Sequence, residues 1–389
     1  MKLLIRNIGE AETSLAIEDG RIVELGPERE ADSVLDARGG AVIPGLIDSH
    51  THMVFAGNRT DEFVMRSKGM SYLEIAKAGG GIRRTVEAVR RASLEELVEL
   101  ALPRLGRMLE NGVTTLEVKS GYGLTTRDEI KMLEAVRELR ALQPIELVPT
   151  YLGAHTVPPE YADRREAYVD LVVSDELMGR VADERLAEFC DVFCEESAFN
   201  VEESRRILEA GKNRGLAPKI HADQITQMGA SRLAAEVECV SADHLEHIDG
   251  GGIAALRNGG VIAGLLPGCS FYLGVPQAPA RKILDAGVPV ALATNYNPGS
   301  SMIESLPLVL SIACTQMKLT PAEALTGATS TAAAALNRTD RLGRLDKGMD
   351  ADLVVLDVPS VDGWLSEPGR SSVRAVLKKG RVVHESSRA

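Results

Sequence analysis

The chain has 389 residues, 44% of them hydrophobic and 26% charged, with a formal net charge of -12. That composition suits a large globular domain with a smaller companion. The acidic balance and the lack of any Lys/Arg-rich run remove the electrostatic footprint of a nucleic-acid binder. No run of about 18 apolar residues occurs, and Met1-Lys2-Leu3-Leu4-Ile5-Arg6 lacks the apolar region of a signal peptide. Neither a membrane nor a nucleic-acid partner is expected, and the chain reads as cytoplasmic.

Residues 1–44 hold short β-like runs, Lys2 to Ile8, Ser14 to Ile17 and Arg21 to Leu25, with Asp19-Gly20 as a turn signal. The carboxyl end repeats that texture in Asp352 to Leu356 and in Val373 to Val383, the latter broken by Lys379-Gly380. The two ends, 1–44 and 346–389, are therefore expected to pair into one small β-domain, a β-sandwich. The catalytic body is expected over 45–345.

That body alternates apolar runs with helical periodicity, the pattern of parallel strands joined by helices. The runs are Val42 to Asp48, Thr114 to Val118, Ile145 to Thr150, Phe189 to Phe193, Ala217 to Ile220, Cys239 to Asp243, Val261 to Leu266 and Val288 to Ala293. Such alternation fits an α/β fold of the (β/α)8 TIM-barrel type better than an open sheet. Between runs, Ser93 with Glu96 forms a capping box ahead of a helix that Asn111-Gly112 ends, and Thr320-Pro321-Ala322-Glu323 starts another. Cys190, Cys194, Cys239, Cys269 and Cys314 form an odd set without a C-x-x-C pair, so reduced buried thiols are expected.

Catalytic residues of such a barrel come from the carboxyl ends of the strands. Here five of the chain's seven histidines fall at those ends: His50 and His52, His155, His221 and His244. His247 follows closely, and His384 lies in the tail. His50 and His52 sit two residues apart, so on a strand both imidazoles face one side and can share an ion; zinc or iron suits imidazole. A lone His-x-His equally fits two structural histidines. His155 or His244 alone also reads as structural, and Tyr122 alone as a packed aromatic; the shared rim favours a site.

The motifs P-G-L-I-D-S-H-T-H (44–52), F-A-G-N-R (55–59), G-G-G-I (79–82), K-S-G-Y-G-L (119–124), L-G-A-H (152–155), D-V-F-C-E (191–195), K-I-H-A-D-Q (219–224), S-A-D-H-L (241–245), L-L-P-G (265–268) and N-P-G-S (297–300) run through nearly the whole body. In them the chain resembles the amidohydrolase superfamily and, within it, the imidazolonepropionase family, the ring-opening hydrolases of histidine degradation. The resemblance implies one divalent or trivalent metal ion per chain, zinc or iron, held by His50, His52, His221 and the residue at 295. It implies His244 as the proton-transfer residue beside the activated water, with Gln224 and Asn295 in the catalytic set. Arg59, Tyr122, His155, Gln224, Asn297, Gly299 and Ser300 match positions that hold a small-molecule substrate, 4-imidazolone-5-propanoate, and a homodimer is implied. Arg59 suits a propionate carboxylate bidentately, and the Asn297 amide offers a donor and an acceptor to a ring or formimino group.

Two positions depart from or vary within the family pattern: Asn295 stands where the family usually has Asp, and Gln224 where many members have Glu. Asn295 can offer a metal its carbonyl oxygen but cannot take a proton. Alternatives are another cyclic amidohydrolase or a deaminase, which Gln224 disfavours, and a silenced barrel that binds a carboxylated ligand without turnover. Gly79-Gly80-Gly81 lacks both a preceding strand and a following Gly-Lys-Ser/Thr, which argues against a phosphate loop. Lys119 is a further alternative, as a carbamate bridging two metals.

Overall fold

The computed structural model describes residues 2–9, 13–26, 30–70, 74–75 and 79–386. The remaining positions of the two ends, 1, 10–12, 27–29 and 387–389, lie outside the described residues. Strands β1 (Lys2–Ile8), β2 (Thr13–Glu18), β3 (Arg21–Gly26) and β4 (Ser33–Asp36) form one sheet in the order β3-β2-β1-β4. Its pairs are antiparallel except β1 with β4. The next short strand, β5 (Val42–Pro44), joins a different sheet.

Eight parallel strands follow, each hydrogen-bonded to the next: β6 (Leu46–Asp48), β7 (Val113–Lys119), β8 (Glu146–Ala154), β9 (Phe189–Cys194), β10 (Ala217–Ala222), β11 (Ser241–His244), β12 (Ile262–Leu265) and β13 (Val290–Leu292). They match the eight apolar runs, with helices between them as the alternation predicts. The Ser93/Glu96 capping box starts the helix Leu94–Glu110, and the Thr320/Glu323 box starts Pro321–Gly327. The last strands, β14 (Leu353–Leu356), β15 (Val373–Lys378) and β16 (Arg381–Glu385), make an antiparallel sheet in the order β16-β15-β14-β5.

Alternation along these end strands sends every second side chain to one face. Leu3, Ile5, Leu15, Ile17 and Ile22 of the first sheet thereby meet Leu353, Val355, Ala375 and Leu377 of the second in one buried cluster. The run Val42 to Asp48, expected as one barrel strand, divides at Gly45: Val42–Pro44 pairs with β14, and only Leu46–Asp48 enters the barrel. Gly45 passes so close to β7 that a Cβ there would stand 2.3 Å from Thr114 Oγ1.

The barrel closes beyond its formal strands. Thr294 N–H donates to Asp48 Oδ1 at 3.0 Å. Asn295 N–H donates to His50 O, and His52 N–H to Tyr296 O, both at 3.0 Å. The histidine segment and the segment after β13 are thus one seam.

A second junction lies at the start of β8. Glu146 accepts from Arg338 Nε at 3.1 Å and Arg341 Nη1 at 2.9 Å, with Lys378 Nζ of β15 3.7 Å away. Burial pushes its carboxyl up, but Arg341, Lys378 and Arg338 outweigh that and hold it at about 2, below the ordinary 4.5. A depressed folded-state pKa stabilises above the unfolded value and stops doing so as pH falls through the folded one. Stability from this junction is therefore expected in full at neutral pH and to fade as the pH falls from 4.5 towards 2. Urea unfolding of wild type and Glu146→Gln at pH 7 and pH ~3 checks this, the variant losing less stability between the two.

Candidate functional site

The seam delivers His50 and His52 into the barrel, where His221 of β10 and His244 at the end of β11 meet them, all four buried. Ring centroids lie 4.5 Å apart for His50 and His221, 5.4 Å for His52 and His221, and 5.3 Å for His221 and His244. Burial, aided by neighbouring cationic charge, drives the His50 and His52 pKa values well below the usual imidazole range, and burial lowers His221 as well. Neutral imidazoles are the form that ligates metal.

Which nitrogen points inward follows from the other nitrogen's partner. His50 Nδ1 lies 2.7 Å from Asp243 Oδ2, and His221 Nδ1 lies 3.1 Å from Asp191 Oδ2. A carboxylate at Nδ1 fixes the tautomer and ring angle of a metal-ligating histidine. His50 Nε2 then has no hydrogen-bond partner although buried, and His221 Nε2 stands 3.4 Å from His52 Nε2. Two donors about 2.0–2.1 Å from one tetrahedral ion stand about 3.3–3.4 Å apart. The three histidines could therefore share one ion, and each offers a ligand atom within 4.8 Å of the others. Asn295 joins them through its backbone bond to His50; its Oδ1 is buried without a hydrogen-bond partner. This donor set fits a single ion such as zinc or iron.

Beneath the histidines lies a charged layer of which the sequence singled out only Lys119. Lys119 Nζ stands 2.7 Å from Asp191 Oδ2 and 3.0 Å from Glu117 Oε1. Lys219 Nζ reaches Glu117 Oε1 at 3.0 Å and donates to Ser49 O at 3.0 Å. Both ammoniums lie 3.9 Å from Asp243 Oδ2. All five side chains are buried. Their signal was present in the sequence: one or two charges inside an otherwise apolar run, as in F-C-D-V-F-C and V-T-T-L-E-V-K.

The expected substrate-side residues line the same rim. The His155 ring stacks on His52 at 5.0 Å and holds Gly121 O through Nδ1 at 3.0 Å, and Tyr122 lies 5.4 Å from His155. Burial above all pushes His155 down to about 3. Gln224 is partly buried two residues past β10. Arg59 caps the helix Thr60–Ser67, and a Cβ on Gly299 would fall 2.0 Å from Arg59 Nη1. The Asn297 amide is hydrogen-bonded within its own loop. Its Nδ2 donates to Asn295 O at 2.6 Å and Ser300 Oγ at 2.9 Å, while its Oδ1 accepts from Gly299 and Ser300 N–H, both at 2.8 Å. These bonds hold the turn from 295 to 300 in shape. In the Gly79–Gly81 run, Gly81 N–H donates to Glu62 Oε1 at 2.9 Å.

The amidohydrolase family profile matches residues 41–384. The chain is 52% identical to an imidazolonepropionase of Myxococcus xanthus (strain DK1622) over 378 residues, 95% of this chain and 89% of that one. It is 50% identical to an imidazolonepropionase of Geobacillus kaustophilus (strain HTA426) over 380 residues, with the same shares. Among solved structures, an atrazine chlorohydrolase from Arthrobacter aurescens TC1 complexed with zinc superposes with a TM-score of 0.77 at 19% identity, covering 98% of this chain and 95% of that one. At that identity the likeness is one of fold.

The environment of Lys119 decides its state. Burial alone would lower its pKa, yet Asp191, Glu117 and Asp243 outweigh that and raise it above the ordinary lysine value. It is a charged ammonium enclosed by carboxylates, not a carbamate between metals. Lys119→Met takes from Asp191 its lysine partner, while Lys219 remains on Glu117, and is expected to cost about 3–5 kcal/mol in urea unfolding. After incubation with 13C-bicarbonate, NMR of the wild type is expected to show no carbamate signal.

Proposed function

The chain belongs to the amidohydrolase family and, with its imidazolonepropionase relatives as the premise, we propose that it hydrolyses the ring amide of 4-imidazolone-5-propanoate to N-formimidoyl-L-glutamate in histidine degradation. The observation that carries this reading is the set of three imidazoles converging beside Asn295, with His244 and His155 against them and Arg59 against Gly299 of the loop that follows. His50, His52 and His221 would hold one ion per chain, zinc or iron, with Asn295 Oδ1 as a further donor. A bound ion supplies Lewis-acid polarisation and a more acidic water there.

Hydrolysis forms a bond from a water oxygen to the ring carbonyl carbon and breaks that carbon's bond to the ring nitrogen. The water's proton must reach the departing nitrogen. His244, within 5.6 Å ring-to-ring of His50, is the residue proposed to move it. Arg59 is proposed to hold the propanoate carboxylate, a planar match for a guanidinium. Tyr122 and His155 would present an aromatic wall to the flat ring, with Gln224, Gly299 and Ser300 beside it. Asn297 would act through the shape of its loop. The reading also takes in a homodimer, a cytoplasmic location and a division into a small β-domain (1–44 with 346–389) and a catalytic barrel (45–345). Among the described residues no helix is long and apolar enough to cross a membrane.

Purified protein is expected to contain one metal ion per chain and to open the imidazolone ring; His50→Ala is expected to lose both. Metal analysis beside a ring-opening assay checks this, and a metal content near zero in active wild type would overturn it. A second reading, a silenced barrel that only binds, is motivated by amides at both 295 and 224. Profiles of kcat/KM against pH for wild type and Asn295→Asp at matched metal content separate the two. Active wild type with an acidic limb at or below neutrality is expected, with little gain from the carboxylate. Inactive wild type rescued by Asn295→Asp would establish the silenced reading.

A further inference from the structure

Glu62 has no part in the chemistry described so far, yet it is among the most deeply buried carboxylates of the rim, at 1% exposure. It sits in the first turn of the helix Thr60–Ser67, three residues after Arg59. Its Oε2 accepts from Arg59 Nε at 2.8 Å and lies 2.7 Å from Arg59 Nη2. Its Oε1 accepts from Gly81 N–H at 2.9 Å and lies 3.8 Å from Arg84 Nη1, which itself pairs with Asp61 at 2.5 Å. A buried anion persists only where it is paired and hydrogen-bonded. Here both oxygens are used, one on the guanidinium and one on the loop.

A guanidinium has a rigid fork of donors, so a carboxylate on its Nε side sets the direction of the whole plane. With Glu62 on that side, Arg59 Nη1 is laid against Gly299, where any Cβ would displace it. Arg59 thereby spans the rim from the segment after β6 to the loop after β13. That loop's form is kept by the Asn297 amide.

We infer that Glu62 is a positioning residue that aims Arg59 at the substrate's carboxylate and ties the Gly79–Gly81 backbone to the same clamp. The inference rests on the reading of Arg59 as the carboxylate-holding residue. Glu62 touches no reacting atom, so its loss should appear in discrimination for the carboxylate and in KM more than in kcat.

The test compares kcat/KM for 4-imidazolone-5-propanoate with that for 5-ethyl-4-imidazolone, which keeps the ring and lacks the carboxylate. Wild type, Arg59→Lys, Glu62→Gln and the double variant are measured as metal-loaded protein. Glu62→Gln is expected to cut the preference for the propanoate about tenfold, the worth of a hydrogen bond to a charged group, through KM. The double variant is expected to fall no further than Arg59→Lys, because the two residues act as one unit. If Arg59→Lys abolishes the preference and Glu62→Gln leaves it whole, the positioning role is overturned and the Arg59 reading stands. If Arg59→Lys leaves the preference whole, the Arg59 reading fails and takes this inference with it. Should Glu62→Gln not fold, Glu62→Asp keeps the charge but withdraws it by one methylene, and is expected to lower the preference in the same way; an unchanged preference there overturns the role.

Discussion

The site depends on burying a set of like and unlike charges inside a closed barrel. Barrel interiors are ordinarily filled by layers of branched aliphatic side chains. Here Glu117, Lys119, Asp191, Lys219 and Asp243 occupy that space instead. Removing each ion from water costs several kcal/mol, recovered only through close pairing and filled hydrogen bonds. Two lysines shared among three carboxylates meet that condition, and the sharing leaves Asp191 and Asp243 each facing a histidine. The ring angles of His221 and His50 are thus set by carboxylates 30 and 193 residues away in the chain, before any ligand arrives.

Closure of the barrel works on the same atoms. The backbone of His50 and His52 completes the ladder with Asn295 and Tyr296, so the last hydrogen bonds of the sheet are also the supports of the site. Asp48 reinforces the seam through Thr294 N–H and Oγ1, and burial pushes its carboxyl up to about 7. Backbone strain gathers here too: His244, Leu245 and Asn295 have φ of 82°, 68° and 51°. Left-handed backbone at a non-glycine residue costs of order 1–3 kcal/mol and persists where surrounding structure demands it. At these strand ends it turns the chain out of the sheet directly after the site side chains.

Outside the ion layer, the rim is organised by loops that satisfy themselves. Asn297 spends its amide on the turn from 295 to 300, and Glu62 spends its carboxylate on Arg59 and Gly81. Such bonds fix the shape of the rim independently of any ligand. These loop contacts were not legible in the sequence, because an amide or carboxylate beside a site has the same letter whatever it bonds.

The sequence by itself determined the eight-strand body, the helix starts at Ser93 and Thr320, the β-rich ends and the histidine-bearing rim. Those features are written in periodicity, capping and spacing between near neighbours, which act locally and survive without knowledge of the partner. Only the tertiary structure decided that Val42–Pro44 leaves the barrel for the end sheet, that Lys119 is enclosed by carboxylates, and that the Asn297 amide bonds within its own loop. It also decided which carboxylate meets which imidazole. Each of those outcomes turns on a partner far away in the chain, such as Asp243 for His50 across 193 residues. Such pairings depend on how strands twist and close around a common interior, and no local pattern encodes that distance.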